Sequence, residues 1–243
     1  MSSLWQALTI STVAAFVLAL LSAVAGFGGG ALLLPVFTAI FGLRVAVPVL
    51  TLTQIASNGG RVWFNREHLR WRIIARFSLG AIPLAIAGGL LLAHAPLVPL
   101  KRLLGVFLIA VVLWRHLRRQ PSPPSDNAFI AVGAASGLGS ALLGSVGPLT
   151  APFFLAKGFT RGVFIGTEAA CALLMHAAKI GAYGTANLLT GRVVLLGAAL
   201  TPATLAGAWA GKKVVAKISD RVFVILVEAG LIAAGLLFLT GLA

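Results

Sequence analysis

The chain has 243 residues, of which 59% are hydrophobic and 10% are charged, and its mean hydropathy is +1.03. A soluble domain is about half apolar and about a quarter charged, so this composition predicts an integral membrane protein and excludes an ordinary soluble domain. The formal net charge of +14 favours basic cytoplasmic loops and contacts with anionic lipid over a nucleic-acid-binding face.

The apolar residues fall into ten segments, which predict an all-α fold. The segments are residues 4–25, 29–41, 45–63, 73–93, 100–115, 127–143, 146–157, 162–184, 192–211 and 221–241. The first has no basic residue before it, so it is interpreted as a retained helix rather than a signal peptide. The second and seventh are short, because about thirteen helical residues reach only about 20 Å across a hydrocarbon core of about 30 Å. The sequence leaves open whether these two segments span the membrane or re-enter.

A polar linker divides the chain into two halves of five segments. The stretch RHLRRQPSPPSDN, residues 115–127, contains three prolines and cannot lie in hydrocarbon. We therefore predict a first membrane repeat at 1–116, a cytoplasmic linker at 117–126 and a second membrane repeat at 127–243.

The two halves carry matching motifs in the same order. Pro35 matches Pro152 and Pro83 matches Pro202, which keeps the offset near 117–119 residues and indicates an internal duplication. Five crossings per half give the two copies opposite orientations, as in the inverted repeats of many secondary transporters. The predicted architecture is a polytopic membrane protein with two five-segment inverted repeats and about 8–10 transmembrane helices.

The positive charges predict the orientation in the membrane. If every segment crosses, the basic loops at 66–72, 115–119, 157–161 and 212–221 share one face. Lys and Arg accumulate in cytoplasmic loops, so this face is predicted to be cytoplasmic and both chain termini are predicted to lie outside. We expect a multi-pass protein of the cell inner membrane.

A cluster of glycines marks the start of the second segment. The stretch SAVAGFGGGALLLPVF, residues 22–37, has four glycines within five positions. Breaking a helix inside the bilayer exposes N–H groups and a positive helix end, which together bind an anion. Matching breaks in two repeats indicate a transport site, so Gly28, Gly29, Gly30 and Gly147 are predicted to let the backbone approach a solute. Close helix packing through small residues is the alternative.

Several longer motifs resemble one known family. They are AGFGGGALLLPVF, TLTQIASNGGRVWFNREHLRW and GAIPLAIAGG in the first half, and GLGSALLGSVGPLTAPFFLAKGF and GTEAACALLMHAAKIGAYG in the second. In order and spacing they resemble the TauE/SafE sulfite exporter family of membrane proteins over nearly the whole chain. The resemblance implies secondary transport of a sulfur-containing anion such as sulfite, sulfoacetate or another organosulfonate.

Polar side chains in the third and eighth segments are the candidate solute-binding groups. They are Thr51, Gln54, Asn58 and Arg61 in the third segment and Thr167, Glu168, His176 and Lys179 in the eighth. In lipid such groups must face protein or water, so solute contact and helix-helix hydrogen bonding are both open. Arg61 and Lys179 occupy nearly equivalent positions and offer positive charge to an anion, unless they extend to the membrane interface. Glu168 and His176 are hypothesised to carry protons.

The leading functional hypothesis is a secondary transporter of a small anion, and the alternative is an anion channel. We predict that the chain is not an enzyme, because it has neither a His-Glu-x-x-His motif nor paired intramembrane aspartates. The single cysteine, Cys171, excludes an internal disulfide and a cysteine metal cluster, and we expect no cofactor and no metal. The expected partners are the anionic solute and membrane lipid, without nucleic acid. The sequence leaves the oligomeric state open, including a homodimer.

Overall fold

The computed structural model shows an all-helical protein in the residues that it describes. Those residues are 9–10, 12–17, 19–20, 30–117, 123–144, 150, 153–154, 156–159, 161–214 and 220–241. The helices within them are α1 (Gly30–Phe41), α2 (Leu43–Phe64), a 3₁₀ turn (Arg66–His68), α3 (Trp71–His94), α4 (Leu97–Leu117), α5 (Ala128–Leu143), α6 (Arg161–Thr185), α7 (Gly191–Val214) and α8 (Asp220–Thr240). The predicted all-α class is confirmed, since these residues contain helices and no strand.

Helices α1 and α2 are joined by a single residue. Gly42 has a φ of +79°, a conformation that glycine adopts without the steric cost of a Cβ atom. Its N–H group donates to the carbonyl of Thr38 at 2.9 Å, and its own carbonyl accepts from the N–H group of Ala46 at 2.9 Å. The chain therefore leaves α1 and enters α2 without a loop, and α1 has 12 residues.

Helices from before the linker pack against helices from after it. α3 contacts α5 and α6, α2 contacts α6 and α7, and α4 contacts α8. Helices α3 and α5 approach each other closely: an added Cβ at Gly80 would collide with the carbonyl oxygen of Ile130, and one at Gly133 with that of Phe77. Small residues permit such close packing of helices in membranes. Helices from the two sides of the linker are therefore packed directly against each other.

The molecular surface carries many large apolar side chains. Leu79 on α3 and Leu195 on α7 are 67% and 70% exposed, which suits contact with lipid rather than water. Within the described part of the chain, two helical stretches, Trp71–His94 and Gly162–Thr185, are long and apolar enough to cross a membrane. The buried interior contains a separate aromatic cluster around Phe154.

Candidate functional site

Two polar stripes meet where α2 packs against α6. We call this contact the α2–α6 seam and define it by Thr51, Gln54, Asn58 and Arg61 on α2 and by Glu168, His176, Lys179 and Tyr183 on α6. On each helix the four residues lie within an arc of about 80°. Seven of the eight are buried, each with at most 5% exposure, and Arg61 is half-buried. The helices run antiparallel, because Arg61 contacts Glu168 at one end and Thr51 lies beside Tyr183 at the other.

At one end of the seam, a cation and an acid neutralise each other. The Arg61 guanidinium donates from Nη2 to Oε2 of Glu168 at 2.8 Å and from Nη1 to Oδ1 of Asn58 at 3.1 Å. The carboxylate is 7% exposed and the guanidinium side chain 20% exposed. This charge-assisted pair joins the last turn of α2 to the second turn of α6.

Further along the seam, Lys179 has neutral partners. Its ammonium donates to Oγ of Ser140 at 3.0 Å and to the carbonyl of Gly144 at 3.2 Å, and it lies 3.3 Å from Nδ1 of His176. An ammonium has donors only, so we assign Nδ1 as the acceptor and place the proton of the neutral imidazole on Nε2. Lys179 is fully buried. It also lies at the end of α5, where a cation is favoured by the helix dipole.

Among the side chains that the structure describes, no carboxylate contacts Lys179. The chain has five acidic residues, and the structure describes the side chains of four of them. Glu168 pairs with Arg61, Asp126 with Lys157 and Glu228 with His116, whereas Glu67 lies in the exposed 3₁₀ turn and Asp220 begins α8. Glu168, the acid on the same helix, precedes Lys179 by a helical distance of about 16 Å. The described partners of Lys179 are therefore all neutral groups.

Gln54 adds an unused donor to the same stretch of the seam. It lies between Thr51 and Arg61 on α2, and Lys179 lies between Glu168 and Tyr183 on the antiparallel α6. The side chain is 2% exposed, and its Nε2 has no hydrogen-bond partner among the described residues. A buried donor without a partner costs free energy, so this position is suited to a bound acceptor.

The comparison with known protein families identifies the class of this molecule. The family model of the sulfite exporter TauE/SafE matches residues 11–238. The chain belongs to the TauE/SafE family. No curated protein and no solved structure is significantly similar to it.

Membership in TauE/SafE confirms the predicted resemblance and the predicted membrane class. TauE/SafE proteins are integral membrane transporters rather than enzymes, and their family name refers to sulfite. The α2–α6 seam is therefore the candidate solute site of a TauE/SafE transporter.

Most of the site residues predicted from the sequence belong to the α2–α6 seam. Thr167 does not, because its Oγ1 accepts from the backbone N–H group of Arg70 at 3.1 Å. Gly30 is the first residue of α1. The remaining predicted residues, Gly28, Gly29 and Gly147, lie outside the described part of the chain.

Three residues in or next to the α2–α6 seam were not predicted from the sequence. Tyr183 donates to the carbonyl of Ala141 at 2.8 Å, and Ser140 and Gly144 are partners of Lys179. Tyr183 could have been found, because it is the single tyrosine of the chain and follows Lys179 by four residues on one helix face. Ser140 and Gly144 gave no such signal, since Ser140 lies on a different helix, α5, and Gly144 directly follows that helix.

A second charge cluster lies outside the seam, at the linker. Oδ1 of Asp126 is 2.7 Å from Nζ of Lys157, and its Oδ2 is 3.2 Å from Nε of Arg72 and 3.6 Å from Nη1 of Arg76. The hydrogen bond from Lys157 and the positive charges of all three residues hold the pKa of Asp126 below its usual value, and desolvation opposes them. The cluster joins the starts of α3 and α5 to the turn before α6.

Proposed function

We propose that this chain is a secondary transporter of a small sulfur-containing anion, such as sulfite, sulfoacetate or another organosulfonate, and that Lys179 holds the solute. The observation that carries the proposal is the fully buried ammonium of Lys179 with neutral partners alone. Removing an unpaired charge from water costs several kcal/mol unless a counter-charge restores the balance. A bound anion supplies that counter-charge.

Gln54 and the predicted glycine breaks complete the proposed site. The Nε2 group of Gln54 lacks a partner among the described residues and is available to donate to an anion oxygen. The chain continues from Gly144, a partner of Lys179, directly into the predicted break at Gly147. Backbone N–H groups exposed at such a break also bind anions.

Arg61 has a different role in this proposal. Glu168 neutralises its charge at 2.8 Å, so the pair fastens α2 to α6 and contributes no net attraction to the solute. Of the two cations predicted from the sequence, Lys179 is therefore the one that we assign to the solute.

We extend the proposal to two inverted repeats, 1–116 and 127–243, with the linker at 117–126 in the cytoplasm and both termini outside. Two helix contacts support this extension: α3 packs on α6, and α7 packs on α2. Because α3 and α7 hold matching positions in the two halves, as α2 and α6 do, each contact is the counterpart of the other. Such reciprocal packing is expected of a duplicated transporter fold.

The test is counterflow in proteoliposomes loaded with unlabelled sulfite or methanesulfonate. A transporter is expected to accumulate the labelled anion transiently, whereas the alternative function, an anion channel, gives no counterflow. Lys179→Met is expected to lower the initial rate by roughly 10- to 100-fold, the worth of a hydrogen bond to a charged group. Arg102→Gln removes an exposed cation and serves as the matched control. Equal rates in Lys179→Met and the wild type would contradict the assignment.

Proton coupling through Glu168 and His176 stays a prediction. The two groups lie at different positions of the seam, one bound to Arg61 and the other to Lys179. We therefore propose to test them separately, by uptake across an imposed pH gradient in Glu168→Gln and in His176→Gln. Unchanged proton dependence in both variants would end the hypothesis.

A further inference from the structure

We propose that the α2–α6 seam selects anions with a single negative charge, and that Lys179 determines this selectivity. The inference rests on the proposed function, since it takes Lys179 as the group that holds the solute. It goes further by deciding the charge of the solute: within the proposed class it favours hydrogen sulfite and simple monosulfonates over sulfoacetate and the sulfite dianion, which carry two negative charges.

In this proposal, Lys179 supplies a single positive charge to the solute. Its described partners are a hydroxyl, a carbonyl and an imidazole whose Nδ1 accepts. Residues 128–156, which include the stretch that continues from Gly144, contain no charged side chain, and neither do residues 1–43. α3, which also packs on α6, carries its charged and titratable groups at its two ends, with Arg72 and Arg76 at one and His94 at the other.

The rest of the seam adds no net charge to this count. Arg61 and Glu168 form a pair at 2.8 Å, so their fields largely cancel at Lys179. A monovalent anion beside Lys179 then forms a neutral buried pair. A divalent anion leaves one negative charge uncompensated in a medium of low dielectric constant, which is strongly unfavourable.

The experiment compares methanesulfonate with sulfate, two sulfur oxyanions of similar size whose charges of −1 and −2 do not change near neutral pH. Binding to the purified full-length chain is measured by thermal shift, and transport by competition with labelled methanesulfonate in proteoliposomes. We expect sulfate to bind at least about tenfold more weakly than methanesulfonate.

Two variants change the charge count in opposite directions. Glu168→Gln leaves Arg61 without its counter-charge. Arg61 lies beside position 168, which is about 16 Å from Lys179 along α6. At an effective dielectric constant of about 20, this extra charge shifts the preference towards sulfate by roughly fivefold. Gln54→Glu places a carboxylate in the same stretch as Lys179 and is expected to lower methanesulfonate affinity at least about tenfold. Glu67→Gln, in the exposed 3₁₀ turn, removes the same charge as Glu168→Gln and should leave the ratio unchanged.

The outcomes separate this inference from the proposed function. If the wild-type protein binds sulfate as tightly as methanesulfonate, or more tightly, the charge selectivity is overturned and anion transport still stands. An unchanged ratio in a folded Glu168→Gln protein also overturns it, because the seam then has a different charge count. If methanesulfonate, sulfate and sulfite all fail to bind or move, the proposed function itself is wrong.

Discussion

The two cations of the α2–α6 seam have different kinds of partner. Arg61 is half-buried and meets the carboxylate of Glu168 at 2.8 Å, whereas Lys179 is fully buried and meets a hydroxyl, a carbonyl and an imidazole. Both cations lie on helices that pack on each other, and they differ in their burial and in their partners. In our proposal, the cation that is paired with a carboxylate holds the two helices together, and the cation that has neutral partners binds the anion.

The same contrast extends beyond the seam. The side of the molecule where α2 ends and α3, α5 and α6 begin is held by ion pairs, since Asp126 joins Lys157, Arg72 and Arg76 there. The opposite end of the seam is held by neutral groups such as the hydroxyl of Tyr183. Four experiments test this contrast, taken from the largest expected effect to the smallest.

Removing one cation at each end should have unequal effects on stability. Arg61→Met leaves Glu168 as an unpaired buried charge and is expected to destabilise the fold by about 3–5 kcal/mol. Lys179→Met removes a charge that had no counter-charge, so we expect a much smaller change. The measurement is unfolding of detergent-solubilised protein by scanning fluorimetry in the absence of anions. The double variant Arg61→Met/Glu168→Gln should recover much of the loss, and equal losses in the two single variants would erase the contrast.

Replacing a glycine by alanine should destabilise the protein near Lys179 but not beside Arg61. An added Cβ at Gly137 would collide with the carbonyl of Ala81, one turn before Ser140, whereas at Gly60, beside Arg61, it meets nothing within 4 Å. Gly137→Ala is therefore expected to cost about 1–3 kcal/mol and to weaken anion binding at Lys179. Gly60→Ala should be neutral or stabilise the helix by up to about 1 kcal/mol. Thermal unfolding of both variants, each with and without methanesulfonate, measures the effect.

Deleting one hydroxyl tests the neutral contacts near Lys179. Tyr183 donates to the carbonyl of Ala141 at 2.8 Å and is fully buried. Tyr183→Phe leaves that carbonyl without this donor and is expected to cost about 1 kcal/mol. Thr240→Val, which removes an exposed hydroxyl bonded within its own helix, is the control. A loss no greater than that of the control would show that Tyr183 does not help to hold α5 against α6.

The smallest expected effect concerns pH and the linker cluster. The pKa of Asp126 is lowered by Lys157, Arg72 and Arg76, so its contribution to stability is present above the unfolded-state pKa of about 3.9. That contribution is lost as pH falls through the lower pKa of the folded state. Asp126→Asn should therefore lower the melting temperature slightly near pH 7 and remove the corresponding decline below about pH 4. A decline of the same size in the variant would mean that other groups cause it.

Much of the fold could be predicted from the sequence, because hydrophobic length and turn residues act locally. The predicted segment at 29–41 coincides with α1 (Gly30–Phe41), and the segment at 73–93 lies within α3 (Trp71–His94). The helical spacing of Thr51, Gln54, Asn58 and Arg61 also predicted one polar stripe. The residues at its two ends, Thr51 and Arg61, do contact Tyr183 and Glu168 on α6. What local patterns cannot supply is the partner of each side chain, which comes from a distant part of the chain.

The sequence by itself predicted the membrane class, the positions of most helices in the described part of the chain and the presence of two cations, Arg61 and Lys179, among apolar residues. The tertiary structure decided which of these cations is neutralised: Glu168 reaches Arg61 across 107 residues, and Ser140 reaches Lys179 across 39. The physical reason is that a buried charge is stabilised by groups within a few ångströms. Those groups are brought together by the packing of whole helices, so spacing along one segment does not specify them.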